Sequence, residues 1–356
     1  MHSVRCMVRV LGIVLLIILC WPVDGRSAVV TGLYESEVPV PDQSDASQKQ
    51  GVANALLSVL VKLTGDREVQ GRSGVAGLLS HPEQFVQQYK FQKKPVIRNN
   101  QLSLDQQLYL RVAFNSDTLD KALQNFDVPQ WGRVRPATLI WLVTQQGQNR
   151  KFVGLEDDQG YTAVLDSFAQ QRGIPVVHPL LDNEDRLAVK ESDVTGGFLE
   201  PIQQASQRYA PDAILIGNIT AQSTVSWQGN WTVLINNEPV NWTVTGESAE
   251  TVLQAGIDRL ADALATNFVH ANIAAGASDV EIVVKDINDF DQYSKVLKYL
   301  RTLNSVVNVG VRTVEPGSVT YSVTATGGEL VVVRAIALGK MLESLSGAGS
   351  PYRLLH

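Results

Sequence analysis

Apolar and polar positions alternate most clearly in "SWQGNWTVLINNEPVNWTVTG", residues 226–246. Trp227, Gly229, Trp231, Val233 and Ile235 share one parity, while Gln228, Asn230, Thr232, Leu234 and Asn236 share the other. After "NNEP" the pattern resumes, with Val240, Trp242 and Val244 on one side and Asn241, Thr243 and Thr245 on the other. Alternation with period two on both sides of a turn predicts an antiparallel hairpin with one apolar face. The next segment, "AETVLQAGIDRLADALATNFV", repeats Leu253, Ile257, Leu260, Leu264 and Phe268 at helical spacing, with Ser248 as its expected N-cap. The tryptophans share their face with valine and isoleucine, so burial beneath this helix is the expectation. The competing reading is an exposed ligand or glycan platform of Trp227, Trp231 and Trp242.

Upstream, "ATLIWLV" (137–143) and "DAILIGNI" (212–219) read as buried strands. The helices "YTAVLDSFAQQRG" (161–173) and "FLEPIQQASQRYA" (198–210) and the short strand "IPVVHP" (174–179) fall between them. Val164, Leu165, Phe168 and Ala169 are the expected inward face of the first helix. This alternation predicts an α/β layer arrangement for the middle of the chain.

Nearer the N-terminus, residues 29–40 read as a strand and "SDASQKQGVANALLSVLVKLTG" (44–65) as a helix closed by Gly65, with Val52, Leu56, Val59, Leu60 and Leu63 inward. "QLYLRVAFN" (107–115) reads as a strand. "SDTLDKALQNFDV" (116–128) reads as a helix capped by Ser116 or Asp117. Residues 66–103 are polar and weakly patterned, and are expected to form short helices or an excursion. Their basic cluster, Lys90, Lys93, Lys94 and Arg98, is expected on a solvated loop.

The last segment has the order strand "DVEIVVKDI" (279–287), helix "DFDQYSKVLKYLRTLN" (289–304), two strands joined at Glu315-Pro316-Gly317, helix "GELVVVRAIALGKMLESL" (328–345) and strand "YRLLH" (352–356). That βαββαβ order is the ferredoxin-like one. With breaks at "PQWGRVRP" (129–136) and "ANIAAGAS" (271–278), the prediction is a mixture of α/β and α+β in three modules. These are an N-terminal α+β domain (29–136), a middle α/β domain (137–270) and a C-terminal ferredoxin-like domain (279–356).

The first 28 residues change the picture. Arg5 and Arg9 precede an apolar run from Val10 to Val23, then small residues about Ala28. This is the pattern of a cleaved secretory leader, and the run is too short for a comfortable membrane span. Leu19 before Cys20 does not fit a lipobox, which argues against a lipid anchor. Both cysteines, Cys6 and Cys20, lie in this leader, so no disulfide is expected after cleavage. The cleaved chain carries 27 basic and 35 acidic residues, a formal charge of −8. That balance disfavours nucleic acid and anionic membrane as partners.

Catalytic patterns are lacking. There is no nucleophile elbow, no Ser-x-x-Lys, no Walker or G-x-G-x-x-G loop, and the histidines His81, His178 and His270 are scattered. No cofactor is expected. "DNEDR" (182–186) with Glu191 and Asp193 is the densest acidic stretch, following a strand of the middle sheet. Asp182, Glu184 and Asp185 are thus candidate ligands for a hard cation, weighed against a solvated acidic loop. Asn218, Asn230 and Asn241 head sequons, each within or beside an expected strand and short enough to occur by chance.

The succession "QRYAPDAILIGNI…WTVLINNEPVNWTVTG…VLQAGIDRLADAL" resembles the α/β domain at the amino end of the Tol-Pal periplasmic propeller protein and that of the curli-secretion outer-membrane component. The segments "ALLSVLVKLTG" (55–65) and "RPATLIWLV" (135–143) resemble a family of secreted Gram-negative proteins known only as a domain of unknown function. These resemblances imply a periplasmic address and action by binding other envelope proteins. The expected function is a non-enzymatic accessory or scaffold, docking through the hairpin edge or the ferredoxin-like sheet. The alternative is a periplasmic small-ligand or glycan-binding protein, with or without an unrecognised hydrolase activity.

Overall fold

The computed structural model describes residues 30–98, 101–126, 128, 130–131, 135–157, 159–267, 277–303, 306–326, 328–339, 341–346 and 349–355. The expected leader with both cysteines, Phe268, His270 and most of the 271–278 spacer lie outside them. Three sheets, each with its own helices, make up a mixed α/β and α+β architecture.

The first sheet has the order β1-β3-β2, all antiparallel: β1 (Glu35–Pro39), β2 (Val86–Arg98) and β3 (Gln101–Phe114). Helix α1 (Asp45–Thr64) lays Val52, Leu56, Val59, Leu60 and Leu63 on it, against Val38, Leu110 and Val112. Ser44 caps its first turn by accepting from the Ser47 amide at 3.3 Å, and Gly65 closes it in the left-handed region at φ 74. The short helix α2 (Val75–Ser80) follows. Helix α3 (Ser116–Asn125) is capped by Asn115, whose Oδ1 accepts from the Thr118 amide, and not by Ser116 or Asp117.

The stretch 66–103 departs from expectation. Its second half is β2, thirteen residues long, and Lys90, Lys93, Lys94 and Arg98 lie on that strand rather than on a loop. Lysine and proline on an edge strand oppose unwanted pairing, and the same residues erase the apolar alternation by which a strand is read. The expected strand 29–40 is shorter, because the chain turns just before β1, with Gly32 at φ 72.

The middle sheet has the order β5-β4-β7-β8-β9, comprising β4 (Thr138–Gln146), β5 (Asn149–Val153), β7 (Ala213–Ser223), β8 (Ser226–Ile235) and β9 (Glu238–Gly246). The two-residue β6 (Val176–Val177) joins β4 in parallel. Strands β4 and β7 are parallel, and the remaining pairs are antiparallel. Helices α4 (Tyr161–Arg172) and α8 (Ala249–Ala265) cover one face, burying Leu165, Ala169, Leu253, Ile257, Leu260 and Leu264. On the opposite face, α5 (Asn183–Ala188), α6 (Glu191–Gly196) and α7 (Leu199–Ser206) accompany a core of Leu139, Trp141, Val143, Ile216 and Leu234. Fully buried Trp141 donates from its indole nitrogen to Ser206 Oγ at 3.0 Å.

The first two modules meet at a buried joint. Arg135 is 0% exposed and donates to the carbonyls of Lys62 at 2.5 Å, Gly173 at 2.8 Å and Arg172 and Trp131 at 3.3 Å. Its guanidinium also lies 4.4 Å over the Trp131 ring. Arg172 reaches Asp258 at 2.6 Å, Asp262 at 2.8 Å and the Gly65 carbonyl at 3.1 Å. A guanidinium with several donors in a fixed fork suits this role, because each carbonyl at a helix end needs a partner.

The C-terminal sheet runs β11-β12-β10-β14-β13, with β10 (Ala277–Ile287), β11 (Val306–Glu315), β12 (Gly317–Thr326), β13 (Leu342–Ser344) and β14 (Tyr352–Leu354). Helices α9 (Phe290–Thr302) and α10 (Gly328–Gly339) complete the ferredoxin-like order. Two details differ from expectation. Helix α10 stops at Gly339, and the residues after it form β13. The last strand, β14, turns back antiparallel to β13 and is inserted between β13 and β10, where it runs parallel to β10.

Candidate binding surfaces

Strands β8 and β9 are joined by Asn236 and Asn237, both at positive φ (55 and 64), a two-residue turn of the kind that matches the twist of a hairpin. The register opposes Trp231 to Trp242, Thr232 to Asn241, Asn230 to Thr243 and Val233 to Val240. The outward face is a polar ladder. Thr232 Oγ1 donates to Asn241 Oδ1 at 2.7 Å and Thr243 Oγ1 to Asn230 Oδ1 at 3.0 Å.

The inward face carries the tryptophans. Trp231 is 2% exposed, and three glycines make its slot: a methyl at Gly217 would lie 2.4 Å from its ring, one at Gly256 2.5 Å, and one at Gly229 2.6 Å. Trp227 and Trp242 are half-buried against the same core, beneath α8. An exposed platform of all three rings is therefore corrected: Trp231 presents no ring face to a ligand, because its strand turns that parity toward α8. Among the described residues, neither the Trp231 nor the Trp242 indole N–H meets an acceptor.

The acidic stretch is also rearranged. "DNEDR" is not a loop but the start of α5, and its carboxylates serve as caps and ion-pair partners. Asp182 caps α5 by accepting from the Asp185 amide at 3.0 Å, and it receives both Arg208 nitrogens at 2.9 Å. That pairing, led by the Arg208 hydrogen bonds, holds the Asp182 carboxyl down at about 2. Asp185 is 1% exposed and accepts from the Leu181 amide at 2.8 Å, the Tyr209 hydroxyl at 2.5 Å and Arg208 at 3.1 Å. Burial, then the bond to Asp185, pushes the Tyr209 hydroxyl up to about 12. Glu184 is exposed, 3.5 Å from Arg208. Glu191 opens α6, and Asp193 accepts from the Lys190 amide at 2.8 Å. Among the described residues no group of three or more His, Cys, Asp or Glu side chains is placed to hold a metal. The Asp-x-x-Asp spacing of residues 182–185 is a capping signal, and it was legible in the sequence.

His178 pairs with Asp166 at 2.7 Å, and His81 lies 3.6 Å from Glu83. The shallow cleft at the module joint, bordered by Gly65, Arg67 and Asp262, is crossed by the Arg67–Asp262 pair at 2.7 Å.

The sheet edges differ in how they are protected. Edge β1 has five residues, with Glu35 and Glu37 paired to Arg111 and Lys94. Edge β2 carries Lys90, Lys93, Lys94 and Pro95. Edge β5 has five residues including Arg150 and Lys151. Edge β11 has two register shifts and charges at Arg312 and Glu315. Edge β13 has only three residues. Strand β9 has no register shift against β8 and, after Pro239, no proline or charge from Val240 to Gly246. Among the described residues it is the one long edge whose devices against strand addition, Glu238 and Pro239, are confined to one end.

A family profile described as a domain of unknown function (DUF8605) matches residues 27–132, which span most of the first module. No curated protein matches the chain. Among solved structures, lipoprotein GNA1162 from Neisseria meningitidis aligns with 36% of this chain and 99% of its own, at 14% identity and a TM-score of 0.23. Among the described residues no helix is long and apolar enough to cross a membrane.

Proposed function

We propose that the protein is a non-enzymatic accessory or scaffold of the cell envelope, exported to the periplasm, that acts by docking through an open sheet edge. The observation that carries this reading is β9, an edge strand with no register shift and no charge from Pro239 to Gly246, whereas the edges of the three sheets otherwise are short, charged or bulged. Main-chain groups on such an edge supply affinity, and alternating side chains supply specificity. The acidic stretch and the buried tryptophan favour the same reading, since hydrogen bonds and packing within the fold already occupy the groups that cation or glycan binding would use. The resemblance of the middle segment to the Tol and curli domains agrees with action by protein contact.

The test is affinity recovery of the tagged protein from cross-linked Gram-negative envelopes, comparing the unmodified chain with Thr243→Lys on β9 and Thr313→Lys on β11. An envelope protein recovered with the unmodified chain and Thr313→Lys but lost with Thr243→Lys is the expected result. Recovery indifferent to Thr243→Lys overturns docking at β9.

A further inference from the structure

Strands β8 and β9 contain the same four residues: Asn230-Trp231-Thr232-Val233 and Asn241-Trp242-Thr243-Val244. The hairpin register sets the two copies antiparallel, with tryptophan opposite tryptophan and each asparagine opposite a threonine. The fold thus already contains one Asn-Trp-Thr segment paired with another about a local two-fold axis. The second segment has its outer edge open.

We propose that this edge is occupied by a second copy of the chain, β9 against β9, antiparallel about Trp242. The inference rests on reading β9 as a docking edge and names its partner. In this register Trp242 faces the partner's Trp242, Asn241 faces the partner's Thr243, and Val240 faces the partner's Val244. These are the pairings that β8 already provides on the inner side, apart from Gly229, where the new partner offers valine. The hydrogen-bonding groups are also on hand. Asn241 receives Thr232 on its Oδ1, leaving its Nδ2 to donate to Oγ1 of the partner's Thr243, whose own hydrogen goes to its Asn230.

Three further considerations favour a second copy over a foreign strand. First, side-chain period is two, so a register in which paired residue numbers sum to an even value keeps both polar ladders on one face and both tryptophans on the other. Second, a two-fold axis brings any charge close to it near its own equivalent, which destabilises the pair, so the strand about the axis must be neutral. Residues Pro239 to Gly246 carry no charge, and Glu238 meets the partner's Gly246. Third, an isologous contact needs a self-complementary patch, and Val-Asn-Trp-Thr-Val reads the same in both directions except that asparagine and threonine exchange. The product is one sheet continuous across two subunits.

The test is the mass of the protein purified after expression of the whole chain, by light scattering and sedimentation over a range of concentrations. Two-chain mass is expected for the unmodified protein and for Thr313→Lys. One-chain mass is expected for Thr243→Lys, with circular dichroism unchanged. With Cys6 and Cys20 replaced by serine, the double variant Asn241→Cys, Thr243→Cys is expected to form disulfide-linked dimers. The two cysteines of one chain lie two apart on the strand and cannot bridge each other. One-chain mass throughout, a dimer that survives Thr243→Lys, or the lack of a linked dimer in the cysteine variant overturns the proposal. Should Thr243→Lys fail to fold, the cysteine variant decides. A one-chain protein that still recovers an envelope partner through Thr243 refutes self-pairing and leaves the docking reading standing, whereas a dimer that recovers none does the reverse.

Discussion

Gly256 lies in the middle of α8, where exchange of glycine for alanine ordinarily stabilises a helix by about 1 kcal/mol. Here the added methyl would lie 2.5 Å from Cε2 and Cζ2 of Trp231 and 3.0 Å from Cδ2. The ring must retreat by roughly 1 Å to restore ordinary contact. It has nowhere to go, since the Gly217 backbone bounds its far edge and Gly229 its Nε1. Overpacking of this sort costs about 1–3 kcal/mol, and the enclosure on three sides puts it in the upper half of that range. After the helix gain, Gly256→Ala is expected to destabilise the protein by about 1–2 kcal/mol. Urea unfolding followed by circular dichroism measures it. The same change in a Trp231→Leu background, where the slot is roomy, is expected to stabilise. A coupling of that sign is the signature of the slot, and Gly256→Ala stabilising both backgrounds equally would refute it.

Other outcomes follow from the same geometry. Arg172→Ala removes the buried one of the two cations that Asp258 and Asp262 share, leaving Arg67 at 3.7 and 2.7 Å, and is expected to cost about 2 kcal/mol, less than breaking a fully buried pair because Arg67 remains and those carboxylates are 20% and 35% exposed; proteolysis between the first two modules should rise with it, and unchanged resistance counts against the joint. Burial pushes Lys62 down to about 8, with Arg135 adding to the effect and Glu35 opposing it. The unfolded chain therefore holds that proton to higher pH than the folded one, and stability rises as pH climbs from about 8 towards 10.5. Relative to Lys62→Met, the gain by pH 10 is expected to be about 2 kcal/mol in thermal unfolding, and a flat difference refutes the burial of a charged amine. Millimolar calcium is expected to leave the melting temperature unchanged, since Arg208 and Tyr209 already satisfy Asp182 and Asp185. A clear rise would restore the cation reading.

What was legible in the sequence was what periodicity carries. Helix α1 presents Leu56, Val59, Leu60 and Leu63 at helical spacing, and the hairpin alternates through two strands without a break; in both, one buried face dictates the pattern. Strand β2 was hidden because Lys90, Lys93 and Lys94 protect an edge rather than face a core. The helices α5 and α6 were hidden because six residues show less than two turns of period, so only their capping carboxylates announce them. At the binding surface, the alternation pointed the rings of Trp227, Trp231 and Trp242 toward the following helix, but the slot that encloses Trp231 was not legible. It depends on glycines at 217, 229 and 256, which come together only through register and helix packing. Arg135 had no local signal at all, since its acceptors come from residues 62, 131, 172 and 173. The parallel insertion of β14 likewise depends on a long-range pairing that no local pattern encodes.

The joint also has a mechanical meaning. A pull on the first strand near Glu35 passes to Lys62 through the bond from its ammonium to the Glu35 carbonyl at 2.8 Å. From the Lys62 carbonyl it reaches Arg135, and through Arg135 the end of α4 at Gly173. Tension applied at the amino end would thus reach the middle sheet through these hydrogen bonds one after another, a second route alongside the connecting peptide. A tether attached there would steer the whole middle sheet, and the exposed edge of β9 with it.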